Sequence, residues 1–580
     1  EMKKRHRALK GTVYDSLHTI QEQATGTEYT KHTDKDTLVR RIIGRIWTQS
    51  PKAPKQFENE RAKWDKYANP HPADKLTNIG SPPTMEEVER AYKRMGLGKA
   101  THSDGISKEL LELAPREYKR LFAEYVIESV SKGKVYYEEG DTEVVLLVKK
   151  QNAPSNEVTN LRPISLVKFV TKWTMNVITH RIQERVQHLD NYGFQKQRST
   201  AAAVRKITAI LENARLKGIP AHMLTVDIEK AYDTVPYELM DYILCKYECP
   251  QHIRTLILDA HRKRAIKFKI NGVLGDIINP ERGVAQGSPL SCILFVMCMQ
   301  PLLTRLQHET SGIVGKNDDT AYVDDLSLLA PSAEELNKKW KIVQEFEEWT
   351  SMHANKGKCE YDTTEPDKTK WLSIAGVKNM REEQNQYTMR ILGYWMNTVG
   401  EREDQLNKIV TSMRITANLM RRKLISPQIA RGVLNLIMST RLQYVAQLHY
   451  IPHKSIKQME RACNILAKSQ FGLPNSTANA ALYAKPDTQL GLGLEHPGDV
   501  ANRTIVDEYV KALNSTKESY TASILKENIE LVKRKSWNVK TQDKLRSVTS
   551  ITEHAPNCRT HRKAVANECI CGIVSYWDTT

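Results

Sequence analysis

Apolar and polar residues are spaced differently in successive parts of this chain. Residues 1–84 are polar and basic, and they end in a Gly-Ser-Pro-Pro segment that indicates a loop. Thr84 can cap a following helix, with Glu87 at the capping-box position. Strand-like apolar runs continue to about residue 395, after which apolar residues recur every three to four positions. We therefore expect a polar extension, then a globular region, then a helical region.

The helical region combines apolar faces with basic residues. Its first apolar set is Leu406, Ile409, Val410, Met413, Ala417, Met420 and Leu424. The polar positions between them include Arg414, Arg421 and Arg422. A later apolar set is Ile505, Val506, Tyr509, Val510 and Leu513. Both patterns predict amphipathic helices, and the first of these helices is basic.

Two adjacent acids, Asp324 and Asp325, interrupt an apolar segment. Ala321 and Tyr322 precede them, and Leu326-Ser327-Leu328-Leu329 follow. Apolar runs on both sides of a short polar turn predict a β-hairpin with the two carboxylates at its tip. Such a tip can direct both groups at a divalent cation, but Asp-Asp pairs also occur in ordinary solvated turns.

A third acid, Asp227, directly follows the apolar run Leu224-Thr225-Val226. If it lies beside the hairpin, three carboxylates converge, and they repel one another unless cations are bound. Mg²⁺ suits such a cluster because it prefers oxygen ligands and tolerates few of them from the protein. Two such ions about 4 Å apart can promote phosphoryl transfer. Taken alone, Asp227 also fits a helix cap or a surface acid.

A glycine-containing loop, Arg282–Ser291, lies between these acids in the sequence. It precedes an apolar stretch from Ile293 to Leu306 that predicts a helix. Glycine lets a backbone approach a ligand closely, so Gln286 could contact a base or sugar edge. The competing interpretation is a simple turn with a helix cap.

The chain is strongly basic, with a formal net charge of +18. Basic clusters occur in separate regions, at Lys3–Arg7, His261–Arg264, Arg421–Lys423 and Lys533–Lys535. Any one cluster fits a solvated surface or a nuclear-import patch. Their distribution along the whole chain favours a long groove that binds a polyanion, which points to nucleic acid.

Size and cysteine usage indicate a multidomain globular protein in a reducing compartment. The chain has 580 residues, 40% of them hydrophobic, enough for several cores. The longest apolar run, Cys292–Cys298, is much shorter than the roughly 20 residues that span a bilayer. The nine cysteines are scattered, and Cys245, Cys292 and Cys298 lie in apolar segments, so we expect buried reduced thiols and an intracellular protein.

The order of these features, an Asp at a strand end, a Gly- and Gln-containing loop and a Tyr-x-Asp-Asp hairpin, resembles the palm of reverse transcriptases. Other segments are similar to finger, palm and primer-grip motifs of non-LTR (LINE-type) retrotransposon enzymes, namely Lys99–Ile106, Leu161–Leu166, Gly193–Thr200, Asn355 with Lys358 and Glu360, and Ile391–Gly393. Gly472–Thr477 and Leu490–Leu494 resemble the segment after the thumb in elements that carry a restriction-like endonuclease.

The resemblance implies an α+β right-hand polymerase, with fingers, a palm built on an antiparallel sheet, a helical thumb, and helical N- and C-terminal extensions. The implied domains are a basic N-terminal extension (1–84), fingers and palm (85–395), thumb and post-thumb segment (396–500), and a C-terminal helical or linker region (501–580). The last region contains His554, Cys558, His561, Cys569 and Cys571, whose spacing fits a Zn²⁺ knuckle poorly.

The implied activity is RNA-directed DNA polymerisation, a nucleotidyl transfer that serves target-primed reverse transcription. The implied partners are template RNA, primer or target DNA and deoxynucleoside triphosphates. No membrane association is implied. In a eukaryotic host the protein would act in the nucleus as a ribonucleoprotein. The implied cofactor is a pair of Mg²⁺ ions.

By the same resemblance, the metal ligands and catalytic acids are Asp227, Asp324 and Asp325, with the Ile228 carbonyl as an additional ligand. Tyr232 matches a steric gate against ribonucleotides, although a packing tyrosine is the alternative. The other nucleotide-binding candidates are Arg162, Lys149 or Lys150, Gln286 and Lys358, and the primer-grip candidates are Leu392 and Gly393. For the lysines, an ordinary surface charge is the alternative.

Three positions depart from the family pattern, namely His102-Ser103 before Asp104, Cys292, and Val323 within the hairpin. None of them removes a metal ligand. A non-enzymatic RNA-binding scaffold that keeps the polymerase fold is the main alternative function, and the three acids argue against it. An RNA-templated RNA polymerase or a telomerase-like enzyme is a second alternative, which Tyr232 disfavours.

Overall fold

The computed structural model describes residues 19–49, 54–134, 142–149, 157–382, 388–423, 425–448, 451–486 and 491–537. Lys150, Leu424, Leu490 and the candidate zinc ligands from His554 to Cys571 lie outside these ranges. Helices and strands are mixed along the described chain, which confirms the α+β class. The chain divides into a first unit (residues 1–196, 227–308 and 340–355) and a second unit (residues 197–226, 309–339 and 356–580).

The strands form two main sheets and two small hairpins. The strands are β1 Ile20–Gln21, β2 Glu28–Tyr29, β3 Thr142–Val148, β4 Leu161–Val167, β5 His222–Val226, β6 Ile266–Ile270, β7 Val273–Leu274, β8 Thr320–Tyr322, β9 Asp325–Ala330, β10 Glu360–Thr363, β11 Lys378–Asn379, β12 Met389–Ile391 and β13 Tyr394–Met396. The first unit has a four-stranded sheet in the order β4-β3-β6-β7. The second unit has a five-stranded sheet in the order β11-β10-β5-β9-β8, antiparallel except for the β10-β11 pair.

Helices make up most of the remaining described chain. Those of the first unit are His32–Val39, Arg45–Thr48, Pro54–Trp64, Met85–Arg94, Lys108–Leu113, Arg116–Lys132, Phe169–Arg185, Ala231–Thr234, Tyr237–Lys246, Gln251–Arg262 and Pro289–Glu309. Those of the second unit are Thr200–Lys217, Glu403–Arg421, Pro427–Gly432, Ser439–Ala446, His453–Gln470, Asn479–Tyr483, Pro497–Asn514 and Ser519–Trp537. The helix Ala333–Thr350 has residues in both units.

Several helix predictions are confirmed. Thr84 caps Met85–Arg94, and its Oγ1 accepts a hydrogen bond from the Glu87 N–H at 3.2 Å. The Glu87 carboxylate binds Arg181 at 2.5 Å. The two amphipathic patterns beyond residue 395 are the helices Glu403–Arg421 and Pro497–Asn514.

The N-terminal extension contributes to the cores of the first unit. Trp64 is fully buried and stacks on Trp349, with ring centres 5.4 Å apart. The Arg305 guanidinium lies 4.6 Å from the centre of the Trp64 ring. A second cluster packs on the four-stranded sheet and contains Ile20, Leu38, Val39, Trp47 and Phe268. Residues 1–84 are therefore polar overall, but a small number of their large apolar side chains pack into these cores.

The stretch predicted from Ile293 to Leu306 is a longer helix, Pro289–Glu309. Among the described helices it alone is long and apolar enough to cross a membrane, and 78% of its apolar window is buried inside the protein. Such burial is typical of a core helix.

One cysteine prediction is wrong. Cys298 is buried and Cys292 is half-buried, but Cys245 is exposed on the helix Tyr237–Lys246, because the apolar run around it supplies only one face of that helix to the core. The described cysteines, Cys245, Cys249, Cys292, Cys298, Cys359 and Cys463, are free thiols.

Candidate active site

The predicted acidic hairpin is formed by β8 and β9, with Tyr322 opposite Asp325 in the register. Val323 and Asp324 are its two turn residues. Val323 has a φ of 58°, a conformation that is unfavourable for a β-branched side chain and that neighbouring contacts must maintain. Asp324 is half-buried and Asp325 is exposed, so this tip presents two carboxylates.

The register of the second unit's sheet relates β5 to this hairpin. β5 runs antiparallel to β9, with Val226 opposite Leu326. β5 therefore ends where the hairpin tip begins, and the next residue along the chain is Asp227. Within the second unit, the sheet carries Asp324 and Asp325 at this edge, and Asp227 directly follows β5 in the chain. Carboxylates are oxygen ligands of the kind that a hard divalent cation prefers.

Residues 353–355 hold the backbone that follows β5. The Asn355 N–H donates to the Asp227 carbonyl at 2.7 Å, and the Glu229 N–H donates to the His353 carbonyl at 2.8 Å. Ile228 is buried and pairs with Ala354 in an isolated β-bridge. These contacts give the Asp227 main chain a fixed path.

A buried ion pair lies at the open end of the hairpin, and the sequence patterns did not reveal it. Lys339 is fully buried, and its Nζ lies 2.8 Å from both carboxylate oxygens of Asp319 and 2.8 Å from the Leu329 carbonyl. Asp319 Oδ1 also accepts the Leu329 N–H at 3.0 Å. Lys206 donates to the Asp319 carbonyl at 2.7 Å. The two strands are therefore joined at the end away from Asp324.

The loop that begins at Arg282 packs on the segment that follows Tyr232. The Gly283 N–H donates to the Val235 carbonyl and the Val284 N–H to the Tyr232 carbonyl, at 2.8 and 2.7 Å. Gly283 has a φ of +89°, and a Cβ there would lie 2.7 Å from the Asp233 carbonyl oxygen. Only glycine permits this close approach.

Gln286 is held from two sides. Its Nε2 donates to Asp233 Oδ2 at 2.9 Å, and its carbonyl accepts the Ser165 N–H of β4 at 2.8 Å. Burial raises the pKa of the Asp233 carboxyl, while the hydrogen bonds from Trp47 and Gln286 act in the opposite direction. The predicted motifs around Arg162, Tyr232 and Gln286 thus meet within the first unit.

Tyr232 has a fixed ring. It is half-buried and stacks on Phe295, with ring centres 5.2 Å apart and planes 13° from parallel. Burial raises the pKa of the Cys292 thiol, and a hydrogen bond with Tyr232 opposes that shift. A packing role and a gate role are therefore compatible in this side chain.

Part of the chain that contains these motifs matches a known protein family. Residues 148–396 match the family model described as "Reverse transcriptase (RNA-dependent DNA polymerase)". These residues are a reverse transcriptase domain of the non-LTR retrotransposon type. The domain implies a polymerase fold, and enzymes with it generally use divalent metal ions.

Curated relatives of the chain are named after transposable elements. A "Retrovirus-related Pol polyprotein from type-1 retrotransposable element R2" of Nasonia vitripennis is 22% identical over 61% of this chain and 35% of its own length. The "Transposon TX1 uncharacterized 149 kDa protein" of Xenopus laevis is 26% identical over 48% of this chain and 22% of its own length. The chain thus spans about a third or less of the lengths of these relatives.

The basic candidates of the reverse transcriptase domain differ in their contacts. Arg162 is exposed on β4, opposite Leu147 of β3. Lys149 is exposed, and its Nζ donates to the Thr159 carbonyl at 2.7 Å. Lys358 is exposed in a short helical turn of the second unit, Lys356–Lys358.

The primer-grip candidates of the reverse transcriptase domain form the turn between β12 and β13. Leu392 and Gly393 have φ values of 50° and 84°. The Tyr444 hydroxyl donates to the Leu392 carbonyl at 2.6 Å, which attaches this turn to the helix Ser439–Ala446.

A histidine–aspartate cluster lies in the first unit, apart in sequence from the acidic motifs. Ligand-type atoms of His71, Asp74 and His188 lie within 4.8 Å of one another. Both oxygens of the buried Asp74 accept backbone N–H groups, from Gln187 at 3.1 Å and from His188 at 3.0 Å. Asp74 therefore ties a short turn to the end of the helix Phe169–Arg185, and we interpret the cluster as structural.

Proposed function

We propose that this chain is the RNA-directed DNA polymerase of a non-LTR retroelement, extending a DNA 3′-hydroxyl along an RNA template. One observation carries the proposal. Within the reverse transcriptase domain, Asp324 and Asp325 lie at the tip of the β8–β9 hairpin, and Asp227 directly follows β5, the strand that pairs with β9 and ends beside that tip.

In this proposal Asp227 and Asp324 bind two Mg²⁺ ions, with Asp325 and the Ile228 carbonyl as additional ligands. The bound ions supply charge stabilisation for the attacking and leaving oxygens of phosphoryl transfer. The protein contributes a rigid support, because the hairpin is joined at its open end by Lys339 and Asp319 and the Asp227 main chain is held by Asn355. Rigid ligands reduce the reorganisation needed to reach the transition state.

The architecture proposed for this function is a right hand. The five-stranded sheet corresponds to the palm, β3 and β4 to part of the fingers, and the helices from Glu403 to Gln470 to the thumb. Residues 1–84 and 501–580 are extensions in this scheme. The similarity of Gly472–Thr477 and Leu490–Leu494 to elements with a restriction-like endonuclease supports a place in that group.

The nucleotide site is proposed to involve Tyr232, Gln286 and Arg162, which lie on segments in mutual contact within the first unit. Tyr232 excludes a ribose 2′-hydroxyl because its ring is held against Phe295. Arg162, with Lys149 or Lys150, binds the triphosphate, since a guanidinium can bind phosphate oxygens bidentately. Lys358 neutralises the departing pyrophosphate, and Leu392 and Gly393 position the primer.

The relatives and the net charge of the chain support a proposal for the process in which this polymerase acts. The names of the relatives refer to a retrotransposable element and a transposon, and the net charge of +18 suits a nucleic-acid partner. We propose target-primed copying of the element's RNA, in the nucleus of a eukaryotic host as a ribonucleoprotein.

Primer extension tests the proposal. Purified chain, a DNA primer on a defined RNA template, Mg²⁺ and deoxynucleotides should give extended DNA, and Asp324→Asn should reduce the rate by at least about a thousandfold because a metal ligand is lost. Asp507→Asn is the matched control, since Asp507 is exposed on the helix Pro497–Asn514, outside the reverse transcriptase domain. If the wild type binds template RNA but extends nothing, the RNA-binding scaffold becomes the better account.

A further inference from the structure

A tryptophan of the N-terminal extension lies against the reverse transcriptase domain inside the first unit. Trp47 belongs to the helix Arg45–Thr48, about a hundred residues before the family-matched region begins at residue 148. It is 4% exposed, and its indole stacks on Phe268, with ring centres 5.7 Å apart. A buried indole usually pairs its single N–H donor, and this one does.

Trp47 and Gln286 share one buried carboxylate. Trp47 Nε1 donates to Asp233 Oδ1 at 2.9 Å, while Gln286 Nε2 donates to Asp233 Oδ2 at 2.9 Å. Asp233 is 4% exposed, so water cannot easily replace either donor. Each carboxylate oxygen of Asp233 thus accepts a hydrogen bond from a different segment of the chain.

This sharing sets the orientation of the Gln286 amide. An indole N–H can only donate, so Asp233 Oδ1 accepts the hydrogen bond from Trp47. Asp233 Oδ2 accepts the hydrogen bond from the amide nitrogen of Gln286. The Gln286 Oε1 atom is then directed away from Asp233.

The same helix holds the beginning of the loop. Arg282 Nε donates to the Ile46 carbonyl at 2.7 Å, and the Glu281 N–H donates to the Trp47 carbonyl at 2.7 Å. A further donor of Arg282 contacts Gln49 Oε1 at 3.2 Å. The N-terminal helix therefore contacts the loop at its start through the backbone, and at Gln286 through Asp233.

We propose that Trp47 and Asp233 are positioning residues that orient Gln286 for binding the incoming deoxynucleoside triphosphate. The N-terminal extension is then a functional part of the nucleotide site and not only a cover for the four-stranded sheet. This inference rests on the proposed function. It assigns no chemical step to Trp47, which acts through Asp233 and Gln286.

The substitution Trp47→Phe tests it by keeping an aromatic ring on Phe268 while removing the N–H donor. We expect the KM for deoxynucleotides to rise about three- to tenfold, the size of effect typical of one lost hydrogen bond, with kcat within about twofold of the wild type. The measurement is steady-state primer extension over a range of deoxynucleotide concentrations.

Trp64→Phe is the matched control. Trp64 is a fully buried tryptophan of the same extension, and its Nε1 has no hydrogen-bond partner among the described residues. The control makes the same change of shape without removing a hydrogen bond. It should leave the KM at the wild-type value, and its melting temperature reports how much stability the smaller ring alone costs.

A double-mutant cycle separates positioning from packing. In a Gln286→Ala background, Trp47→Phe should add almost nothing to the KM, because the group that it orients is gone. If Trp47→Phe leaves the KM of the otherwise wild-type chain unchanged, or adds its full effect in the Gln286→Ala background, the inference is overturned while the polymerase function stands. If the wild type extends no primer, the function fails and the inference fails with it.

Discussion

At the scale of single residues, Tyr232 combines two properties that the sequence left as alternatives. Its ring is packed on Phe295, as a core tyrosine would be, yet it is only half-buried. Packing is therefore compatible with the proposed gate, since a ring that selects a sugar must not move aside. The stacking on Phe295 supplies that rigidity.

Tyr232→Ala should relax sugar selection. Removing the ring opens the space that a 2′-hydroxyl needs, so ribonucleotide use relative to deoxynucleotide use should rise by about tenfold or more. The measurement is the ratio of kcat/KM values for matched ribo- and deoxynucleoside triphosphates. Tyr232→Phe is the control, because it keeps the ring and should keep the selectivity. Unchanged selectivity in the alanine variant would remove the gate assignment.

Val323 has an unfavourable backbone conformation. A valine at φ 58° is strained, and the strain sits in the turn beside Asp324. The sequence showed only that valine is unusual at this position. The positive φ depends on the two-residue turn between β8 and β9, which becomes visible only when the strands are paired.

At the scale of elements, the hairpin depends on a contact far from its tip. Lys339 lies in the helix Ala333–Thr350 and pairs with Asp319, one residue before β8. Both side chains are buried, and the ammonium also binds the Leu329 carbonyl of β9. The helix therefore joins the two strands that carry the acids.

Lys339→Met should strongly destabilise the protein. The methionine fills a similar volume but leaves Asp319 as an uncompensated buried charge, which typically costs about 3–5 kcal/mol. Urea unfolding measures the loss. Lys338→Met, on the neighbouring residue with 64% of its side chain exposed, is the control and should change stability by less than about 0.5 kcal/mol. Equal losses in the two variants would show that the buried pair carries no special role.

At the scale of the whole molecule, segments outside the matched domain belong to the folded units. In the second unit, Arg205 binds Glu508 at 3.0 Å and Glu518 at 3.4 Å, and Asn213 binds Asn528 at 2.8 Å. These contacts join the helix Thr200–Lys217 to the two last described helices. The described parts of the regions outside the matched domain are therefore integral to the folded units.

The charge of the whole chain leads to a salt prediction. With a net charge of +18, binding of template RNA should release counterions, and affinity should fall at least about tenfold between about 50 and 200 mM salt. Fluorescence anisotropy with labelled RNA measures this. Replacing the exposed Arg414, Arg421 and Arg422 by glutamine should weaken binding and flatten the salt dependence. A slope that is unchanged by the triple substitution would place the RNA elsewhere.

The sequence by itself determined the elements and the acids. Apolar runs next to Asp227 and around Asp324 and Asp325 predicted a strand and a hairpin, because side-chain alternation and turn chemistry are local properties. The helix caps and the amphipathic helices beyond residue 395 were predictable for the same reason. The motif order was sufficient to indicate a reverse transcriptase.

Only the tertiary structure decided which residues support that site. Trp47 meets Asp233 across 186 positions of sequence, and Lys339 and Asp319 are ordinary charged residues until both are buried. No local pattern marks such partners, because the energy of a buried hydrogen bond or ion pair depends on which distant groups exclude water together. The acids were predictable from the sequence. The groups that hold the hairpin and Gln286 in place are identified only in the tertiary structure.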